Sequence, residues 1–453
     1  MIRELVVWSV VVLFASGYTA CKKTELTVET PKSEEQEDTR TVADAIAEQR
    51  TRGEVLAIAT QLVRGDSKGK TRAIPDFDVE YVLTSAVQKE RLNALGFASV
   101  DTMLYILNER DGSGFSLISG DKRVPELLAY SDEGHLDIRH VDNPGLAIFL
   151  SRLPIFFEQE CLLQKYEKRE EHLTPADEID PPVEAPKYAY RYTLWTDWHK
   201  TPNYVPIEWH QFAPFNNKAP RLCGGTRAAA GCVATAVAQF MAAHKYPTWY
   251  KGQYLNWDSL VKYNTSSITN PQNEKEYFEK EVSRLFRSLG DALGNDWGEE
   301  TGARFKDVPK VLKQMGYRCA VDFEPHEYST RDVELSIDRE RPVLMRGASE
   351  KYVVPILNIP FYRGGHVWLC DGYWIRIRYL EKYNIQTGEV VYRREVAQQL
   401  LHCNWGWGRG NGNGYFLADV FDSNNPIIRD SGLHGSKKFY YQYDIEQLAE
   451  VYH

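Results

Sequence analysis

The chain has 453 residues, of which 43% are hydrophobic and 26% are charged, and this composition is typical of a folded globular protein. It excludes a disordered chain, and the length excludes a small disulfide scaffold. With 54 Lys and Arg against 63 Asp and Glu, the formal charge is −9, so no basic surplus exists and no nucleic-acid partner is expected. The seven cysteines are an odd number, so at least one lacks a disulfide partner within the chain.

The N-terminus carries the only long apolar run, residues 5–15. Because this run is too short to cross a bilayer of about 30 Å, it predicts a signal peptide over residues 1–20 and not a membrane span. Small residues precede Cys21 and two lysines follow it, which resembles a bacterial lipoprotein cleavage site. We therefore expect an exported chain, lipidated at Cys21 and held at the outer membrane on its periplasmic or outer surface, from which a mature domain could be released. The alternative is an ordinary signal peptide that ends near a cysteine.

The next segments predict a polar tether and a small folded unit. Residues 21–40 are rich in Thr, Glu, Lys and Ser and are expected to be unfolded. Residues 42–61 carry apolar side chains at helical spacing, and a second helical stretch covers residues 144–157. Three strand-like runs lie between these helices, at residues 103–108, 114–119 and 127–130. With a hairpin signal at Asp111-Gly112, these elements make an α+β unit that we assign to residues 41–157.

A boundary follows this unit. Residues 167–186 are acidic and contain four prolines, which favours exposed, extended chain. We assign a cleavable linker to residues 158–187 and a second domain, rich in Trp and Gly, to residues 188–453.

Several common motifs are absent or incomplete. The segment from Gly65 to Thr71 is one residue short of a phosphate-binding loop, so we interpret it as a solvated loop. The sequence contains no HExxH, CxxC or GxSxG motif, and the glycine run at residues 406–414 does not fit GxGxxG. We expect neither a metal nor a cofactor.

One cysteine stands out by its position. Residues 228–244 are Ala-rich and apolar nearly all round, which predicts a buried central helix with Cys232 near its N-terminus. The positive end of a helix lowers a thiol pKa from about 8.5, so Cys232 is a candidate nucleophile. The alternative is a cysteine that only fills space in the core.

A candidate base lies in GGHVWLCDGY, where alternation predicts a strand that bears His366. A core histidine is the alternative. In the later segment HCNWGWG, Asn404 could orient the imidazole and Trp405 could shield that hydrogen bond from water. Cys, His and Asn therefore occur in the order found in papain-like peptidases.

Three segments resemble, in order, the diagnostic segments of the streptopain family of papain-fold cysteine peptidases: GCVATAVAQFMAAHKYP, RPVLMRG with GGHVWLCDGY, and HCNWGWGRGNGNGYF. Upstream, LYILNERDGSGFSLISGDKRVPELLAYSDEG and NPGL resemble the family's inhibitory pro-domain. The resemblance implies an α+β fold, in which a papain-like peptidase domain with a central helix against an antiparallel sheet follows a small α+β pro-domain. It also maps the family's oxyanion-hole glutamine to Gln211, in WHQFAPFN.

The resemblance implies a mechanism and a biological form. The Cys232 thiolate, paired with protonated His366, would attack a peptide carbonyl, with the Cys232 N–H and Gln211 stabilising the oxyanion. Either Asn404 or Trp405 would be the third catalytic member. The chain would then be a zymogen of a cysteine endopeptidase that cleaves proteins or peptides and is inhibited by its own pro-domain until the linker is cut. Alternatives are a catalytically idle adhesin or binding protein on this fold, and a papain-fold amidase or transglutaminase.

Two insertions border the predicted cleft, at residues 351–362 and in a predicted hairpin over residues 374–396 that turns near Thr387-Gly388. We expect them to influence substrate choice. The remaining cysteines have no spacing that identifies pairs; they are Cys161, Cys223, Cys319, Cys370 and Cys403. Cys370 and Cys403 are expected on neighbouring strands, where a disulfide or simple packing would fit, and packing is favoured.

Overall fold

One antiparallel sheet of twelve strands runs through both halves of the chain. The structure is a computed structural model, and it describes residues 48–66, 76–171, 187–205, 207–262, 272–349, 365–422 and 443–453. The predicted signal peptide, Cys21, the tether and the insertion at residues 351–362 lie outside the described residues, as does most of the predicted loop at Gly65–Thr71.

The described part of the N-terminal unit has three helices and four strands. In chain order these are α1 (Arg52–Asp66), β1 (Phe77–Leu83), α2 (Ala86–Ala94), β2 (Thr102–Glu109), β3 (Phe115–Ser119), β4 (Leu127–Ser131) and α3 (Pro144–Glu171). The three predicted strands are confirmed, and Gly112 takes a positive φ of 73° in the predicted hairpin turn. Helix α1 begins at Arg52 because Thr51 and Glu54 form a reciprocal capping box, in which each side chain accepts from the other residue's N–H.

Strand β2 is apolar on both faces because helices cover both sides of the sheet. Tyr105 and Leu107 pack in the cluster that contains Val55 of α1, whereas Leu104 and Ile106 pack with Phe149 of α3. This two-sided burial explains why β2 is a nearly continuous apolar run and not a strict alternation.

Helix α3 is longer than the sequence predicts. The predicted helix ends at residue 157 and the linker was placed at residues 158–187, but α3 continues to Glu171. Cys161 in the added turns is fully buried, so these turns pack as part of the N-terminal unit. The first part of the predicted linker is therefore helical. Burial of side chains such as Cys161 stabilises the helix there, although the surrounding residues are charged.

The C-terminal unit contains the remaining elements. They are β5 (Tyr188–Tyr192), β6 (Thr196–Lys200), α4 (Cys232–His244), β7 (Trp249–Tyr250), β8 (Gln253–Tyr254), α5 (Trp257–Lys262), α6 (Gln272–Leu293), α7 (Val308–Met315), β9 (Arg318–Cys319), β10 (His326–Glu327), α8 (Thr330–Ile337), β11 (Val343–Ser349), β12 (Gly365–Asn384), β13 (Val390–Asn404), β14 (Gly414–Leu417), β15 (Tyr443–Leu448) and β16 (Val451–Tyr452). Strands β12 and β13 form the predicted hairpin, which turns through Gly388 with a φ of 72°.

The sheet order is β1-β2-β3-β4-β14-β13-β12-β11-β15-β10. Beyond the end of β11, strands β6 and β5 pair with the outer half of β12. The two units meet where β4 pairs with β14, with Tyr130 opposite Tyr415 and Ala129 opposite Phe416. The predicted central helix packed against an antiparallel sheet is confirmed, because α4 packs on β12 and on α6.

The cysteines described by the structure are free thiols. Cys370 lies directly opposite Cys403 on β12 and β13, both buried, so the favoured packing arrangement is confirmed. Within the described ranges, no helix is long and apolar enough to cross a membrane. The same ranges hold no group of three or more His, Cys, Asp or Glu side chains that could bind a metal.

Candidate active site

Cys232 is the first residue of α4, and the turn before it is tightly held. Gly231 has a φ of 88°, and a Cβ there would lie 3.1 Å from Thr301, so only glycine fits without strain. The preceding residue, Ala230, donates its N–H to the carbonyl of Gln211 at 2.8 Å and accepts from Asn295 Nδ2 at 2.9 Å. These contacts fix the N-terminus of α4 and bring Gln211, the predicted oxyanion residue, next to the loop that precedes Cys232.

Cys232 faces an open cleft of about 510 Å³. The cleft is lined by Cys232, Val233, Glu300, Thr301, Gly302, Ala303, Arg304, Phe305, Lys306, Arg346, Gly365, Val367 and Glu446. Its charged side chains are of both signs, and Arg346 Nη1 pairs with Glu446 Oε2 at 2.6 Å. A substrate could therefore reach the thiol from this side.

The thiol is not activated in this state. Burial raises the pKa of Cys232, although the backbone N–H groups of Val367 and Val233 and the charge of Arg346 oppose that shift. The predicted low pKa is therefore wrong for this arrangement, because burial outweighs the helix N-terminus.

His366 lies on β12 and is almost fully buried, with 1% of its surface exposed. Its Nε2 lies 2.7 Å from the main-chain oxygen of Trp405. Because a carbonyl can only accept, Nε2 carries the proton and the neutral ring keeps its lone pair on Nδ1. Among the described residues Nδ1 has no hydrogen-bond partner. Burial lowers the pKa of His366 to about 4, which favours the neutral imidazole at pH 7.

Aromatic rings surround the imidazole. The His366 ring stacks on Trp368 with centroids 6.3 Å apart and meets Trp407 edge-on at 6.1 Å. Trp405 is fully buried, and its Nε1 donates to the carbonyl of Gly412 at 2.8 Å. Trp405 thus acts on the histidine through its backbone oxygen.

Asn404 makes different contacts from those expected. Its Nδ2 donates to the carbonyl of Ile207 at 2.8 Å, and its Oδ1 accepts from Gln239 Nε2 at 3.2 Å. Gln239 in turn accepts from the N–H of Trp209 at 2.9 Å. Asn404 therefore connects β13 to helix α4, and its role in orienting the imidazole stays a prediction.

The N-terminal unit seals the histidine from the other side. A Cβ on Gly145, in the first turn of α3, would lie 2.9 Å from His366 Cδ2 and closer still to the Trp405 ring. The side chain of Asn143 accepts from the N–H of Gly145 and donates to the carbonyl of Asn411 at 2.7 Å. Helix α3 is thus anchored with its backbone against the imidazole, while Cys232 remains open to the cleft.

Sequence reasoning missed two of these residues. The sequence predicts Gln239 only as part of an apolar helix, and Gly145 only as part of the NPGL segment. A polar residue on an otherwise apolar helix was the available signal for Gln239, because a buried amide needs partners.

Comparisons with known proteins identify two families along this chain. Residues 209–416 match the Peptidase C10 family, and residues 49–154 match the Spi protease inhibitor family. The chain is therefore a cysteine peptidase with a papain-like fold. It contains a domain of the Peptidase C10, or streptopain, family, which is preceded by an inhibitor-like pro-domain.

Two curated relatives are similar over most of this chain. Streptopain of Streptococcus pyogenes is 27% identical over 323 residues, covering 63% of this chain and 72% of streptopain. The thiol protease/hemagglutinin PrtT of Porphyromonas gingivalis is 26% identical over 301 residues, covering 60% of this chain and 31% of that protein.

Two solved structures are also similar. A prointerpain A fragment of Prevotella intermedia is 19% identical with a TM-score of 0.46, covering 82% of this chain and 98% of that fragment. Active interpain A of the same organism is 22% identical with a TM-score of 0.32, covering 49% of this chain and 87% of that protein.

Proposed function

We propose that the chain is the precursor of an exported cysteine endopeptidase, in which Cys232 and His366 form the catalytic pair. One observation carries this proposal: the thiol opens to a cleft, whereas the histidine is held neutral beneath Gly145 of the pro-domain. The site has the required groups, but the pro-domain keeps the imidazole in an environment that disfavours its charged form.

Removal of α3 would expose one side of His366 to water and to the cleft. Its pKa would then rise towards the usual value, and Nδ1 could take the thiol proton of Cys232. The thiolate attacks the peptide carbonyl carbon, and the resulting oxyanion is held by the Cys232 N–H and the Gln211 amide, each worth about 3 kcal/mol.

The intermediate then collapses and the C–N bond breaks. His366 gives its proton to the leaving amine, which departs with the C-terminal half of the substrate. His366 next removes a proton from water, and the hydroxide cleaves the thioester to a carboxylic acid and restores the thiol. The Trp405 carbonyl holds the ring orientation throughout by accepting the Nε2–H bond.

Maturation would cut the chain between α3 and β5, in residues 172–186. This segment is acidic and contains four prolines, a composition that suits access by a protease. We also propose that the chain is exported and anchored at the outer membrane through a lipid on Cys21. Radiolabelled palmitate should label the wild type and not a Cys21→Ala variant, and globomycin should block processing; absence of label would reject the anchor.

The main test compares two cysteines that lie nine residues apart. A Cys232→Ala variant should lose all hydrolysis of casein and of a peptide library, whereas Cys223→Ala, which changes an exposed free cysteine, should keep it. An epoxide thiol inhibitor should block the wild type. Acyl transfer without peptide cleavage would indicate an amidase or transglutaminase, and binding without turnover would indicate an adhesin.

A further inference from the structure

A second surface of the peptidase domain lies beneath the pro-domain, away from Cys232. It lies on one face of the β12–β13 hairpin and on the loop before β6. We call this region the arginine–aromatic surface and define it by five residues: Trp195, Trp374, Arg376, Arg378 and Gln398. It borders β14, whose outer edge pairs with β4.

The two arginines of this surface rest on aromatic rings. Arg378 lies 4.0 Å from the Tyr192 ring centroid and 4.5 Å from that of Trp195. Arg376 lies 5.2 Å from the Trp195 centroid and 5.1 Å from that of Trp374. Both guanidinium groups are therefore held in place by stacking, which leaves their N–H groups to other partners.

Arg376 is incompletely paired even in the precursor. Only 3% of its surface is exposed, and neither Nε nor Nη1 has a hydrogen-bond partner among the described residues. The Oδ1 atom of Asp197 lies 3.8 Å from its Nε, beyond hydrogen-bond distance. Arg376 therefore adds a fixed positive charge beside Arg378, which favours a ligand segment that carries a carboxylate.

The pro-domain shows which chemistry the surface accepts. Glu126 Oε2 lies 3.0 Å from Arg378 Nη1, and the carbonyl of Leu127 accepts from Gln398 Nε2 at 2.8 Å. Tyr130 then pairs with Tyr415 of β14 and places its ring edge-on to Trp374, with centroids 6.1 Å apart. One short extended stretch thus supplies a carboxylate, a backbone acceptor and an aromatic ring.

We propose that, in the matured peptidase, the arginine–aromatic surface and the edge of β14 form an exosite for protein substrates. The exosite binds an extended substrate segment that carries a carboxylate and, four residues later, an aromatic side chain. The segment adds to the sheet antiparallel to β14, in the place that β4 occupies in the precursor. This inference rests on the proposed function, because the surface opens only when the pro-domain leaves.

The exosite lies within reach of the catalytic site along the same strand. Arg376 follows His366 by ten residues on β12, which corresponds to about 33 Å of extended strand. A substrate with about ten residues between the exosite segment and the scissile bond can therefore occupy both places. Short peptides can occupy only the cleft.

The test measures kcat/KM of the full-length chain after maturation on two substrates that share one cleaved peptide. The first is this peptide alone, and the second joins it through a Gly-Ser spacer of about ten residues to VPELLAYSDE, the sequence of residues 124–133. We expect the longer substrate to have the lower KM. The free decapeptide should inhibit its cleavage but not cleavage of the short one.

Variants of the enzyme and of the substrate segment make the test specific. Arg378→Gln should raise KM for the longer substrate about tenfold, the loss expected for one charge-assisted hydrogen bond, and leave the short one unchanged. The matched control is Arg393→Gln, which changes an arginine on the opposite face of the hairpin, over Tyr379. The Glu126→Gln change within the substrate segment should reproduce the Arg378→Gln effect without altering the enzyme.

The outcomes separate the two proposals. If neither substrate is cleaved, the proposed function fails. If both are cleaved with equal KM, or if the Glu126→Gln segment binds as well as the original, the exosite is rejected. A matured enzyme that dimerises through this face and ignores the decapeptide would also reject it.

Discussion

Gly145 of the pro-domain lies against the ring of His366 with no room for a side chain between them. The inhibitory contact is therefore made by a helix backbone, and its closeness depends on the absence of one methyl group. This relationship leads to the first prediction.

A Gly145→Ala variant should weaken docking of α3. The added Cβ would overlap the Trp405 and His366 rings, and overpacking of this kind costs about 1–3 kcal/mol, equivalent to roughly 5- to 150-fold in binding. The precursor should therefore hydrolyse peptides faster and mature sooner. Activity of the purified precursor, followed against time, measures both effects. Gly53→Ala is the control, because its new methyl meets only Thr51 Oγ1 at 4.0 Å; equal acceleration by both variants would contradict the contact argument.

The titration of His366 should report whether the pro-domain is in place. Burial lowers its pKa to about 4 in the precursor, so the stability it contributes is present above about 6.5 and is lost as the pH falls through about 4. NMR of isotope-labelled histidine in a Cys232→Ala precursor should show two rings titrating near pH 4, those of His366 and of the buried His244, and the His366 signal is the one that is absent in His366→Gln. After cleavage and release of the pro-domain, the midpoint should move upward. An unchanged midpoint would mean that burial by α3 is not the cause.

Glu208 should weaken the docking of the pro-domain on the peptidase domain at alkaline pH. Burial and the neighbouring Glu133 of the pro-domain raise the pKa of Glu208 to about 7, although Asn413 and Arg409 oppose the shift. Its contribution to stability is therefore present below about 4.5 and is lost as the pH rises through about 7. We expect the Glu208→Gln change to raise the free energy of unfolding of the precursor by on the order of 1–2 kcal/mol at pH 8 and to leave it unchanged at pH 4. Thermal unfolding of both precursors across this range, on a Cys232→Ala background, would show it, and parallel curves would contradict it.

The third catalytic member can be tested with Trp405→Phe. The imidazole binds the main-chain oxygen of residue 405, which this change retains, so the pH profile of kcat/KM should be unaltered. The lost Nε1 hydrogen bond to Gly412 should lower stability by about 1–3 kcal/mol. Asn404→Ala should likewise lower stability and leave the histidine limb of the profile in place, because Asn404 contacts Gln239 and Ile207. A shifted histidine limb in Asn404→Ala would instead assign the orienting role to Asn404.

Local patterns predicted most of the secondary structure. The alternation around His366, the hairpin signal at Gly388 and the apolar run after Cys232 each correspond to an element of the structure. These features depend on neighbouring residues, which periodicity records directly. Helix α3 extends beyond its predicted end at residue 157 because Cys161 is buried, and the charged composition of the residues after Phe157 does not reveal that burial.

The details of the site were harder to predict. Every residue has a carbonyl, so no sequence pattern could select the Trp405 oxygen as the partner of His366. The predicted direction of the thiol pKa shift is wrong because the helix end is a local feature, whereas burial depends on segments distant in sequence, such as β12, that pack beside Cys232. The pairing of β4 with β14 joins residues far apart in sequence. A match between two strand edges produces no periodic pattern in the sequence, so it could not be predicted from local patterns.

That pairing also bears on the order in which the chain is made. During synthesis from the N-terminus, the pro-domain is made first, then α4 with Cys232, then the strand with His366, and only afterwards β14. The strand edge that receives the pro-domain is thus among the last parts of the sheet to be made. The pro-domain is therefore already present when His366, the second member of the proposed catalytic pair, is added, so no stage of synthesis contains the pair without the segment that covers it.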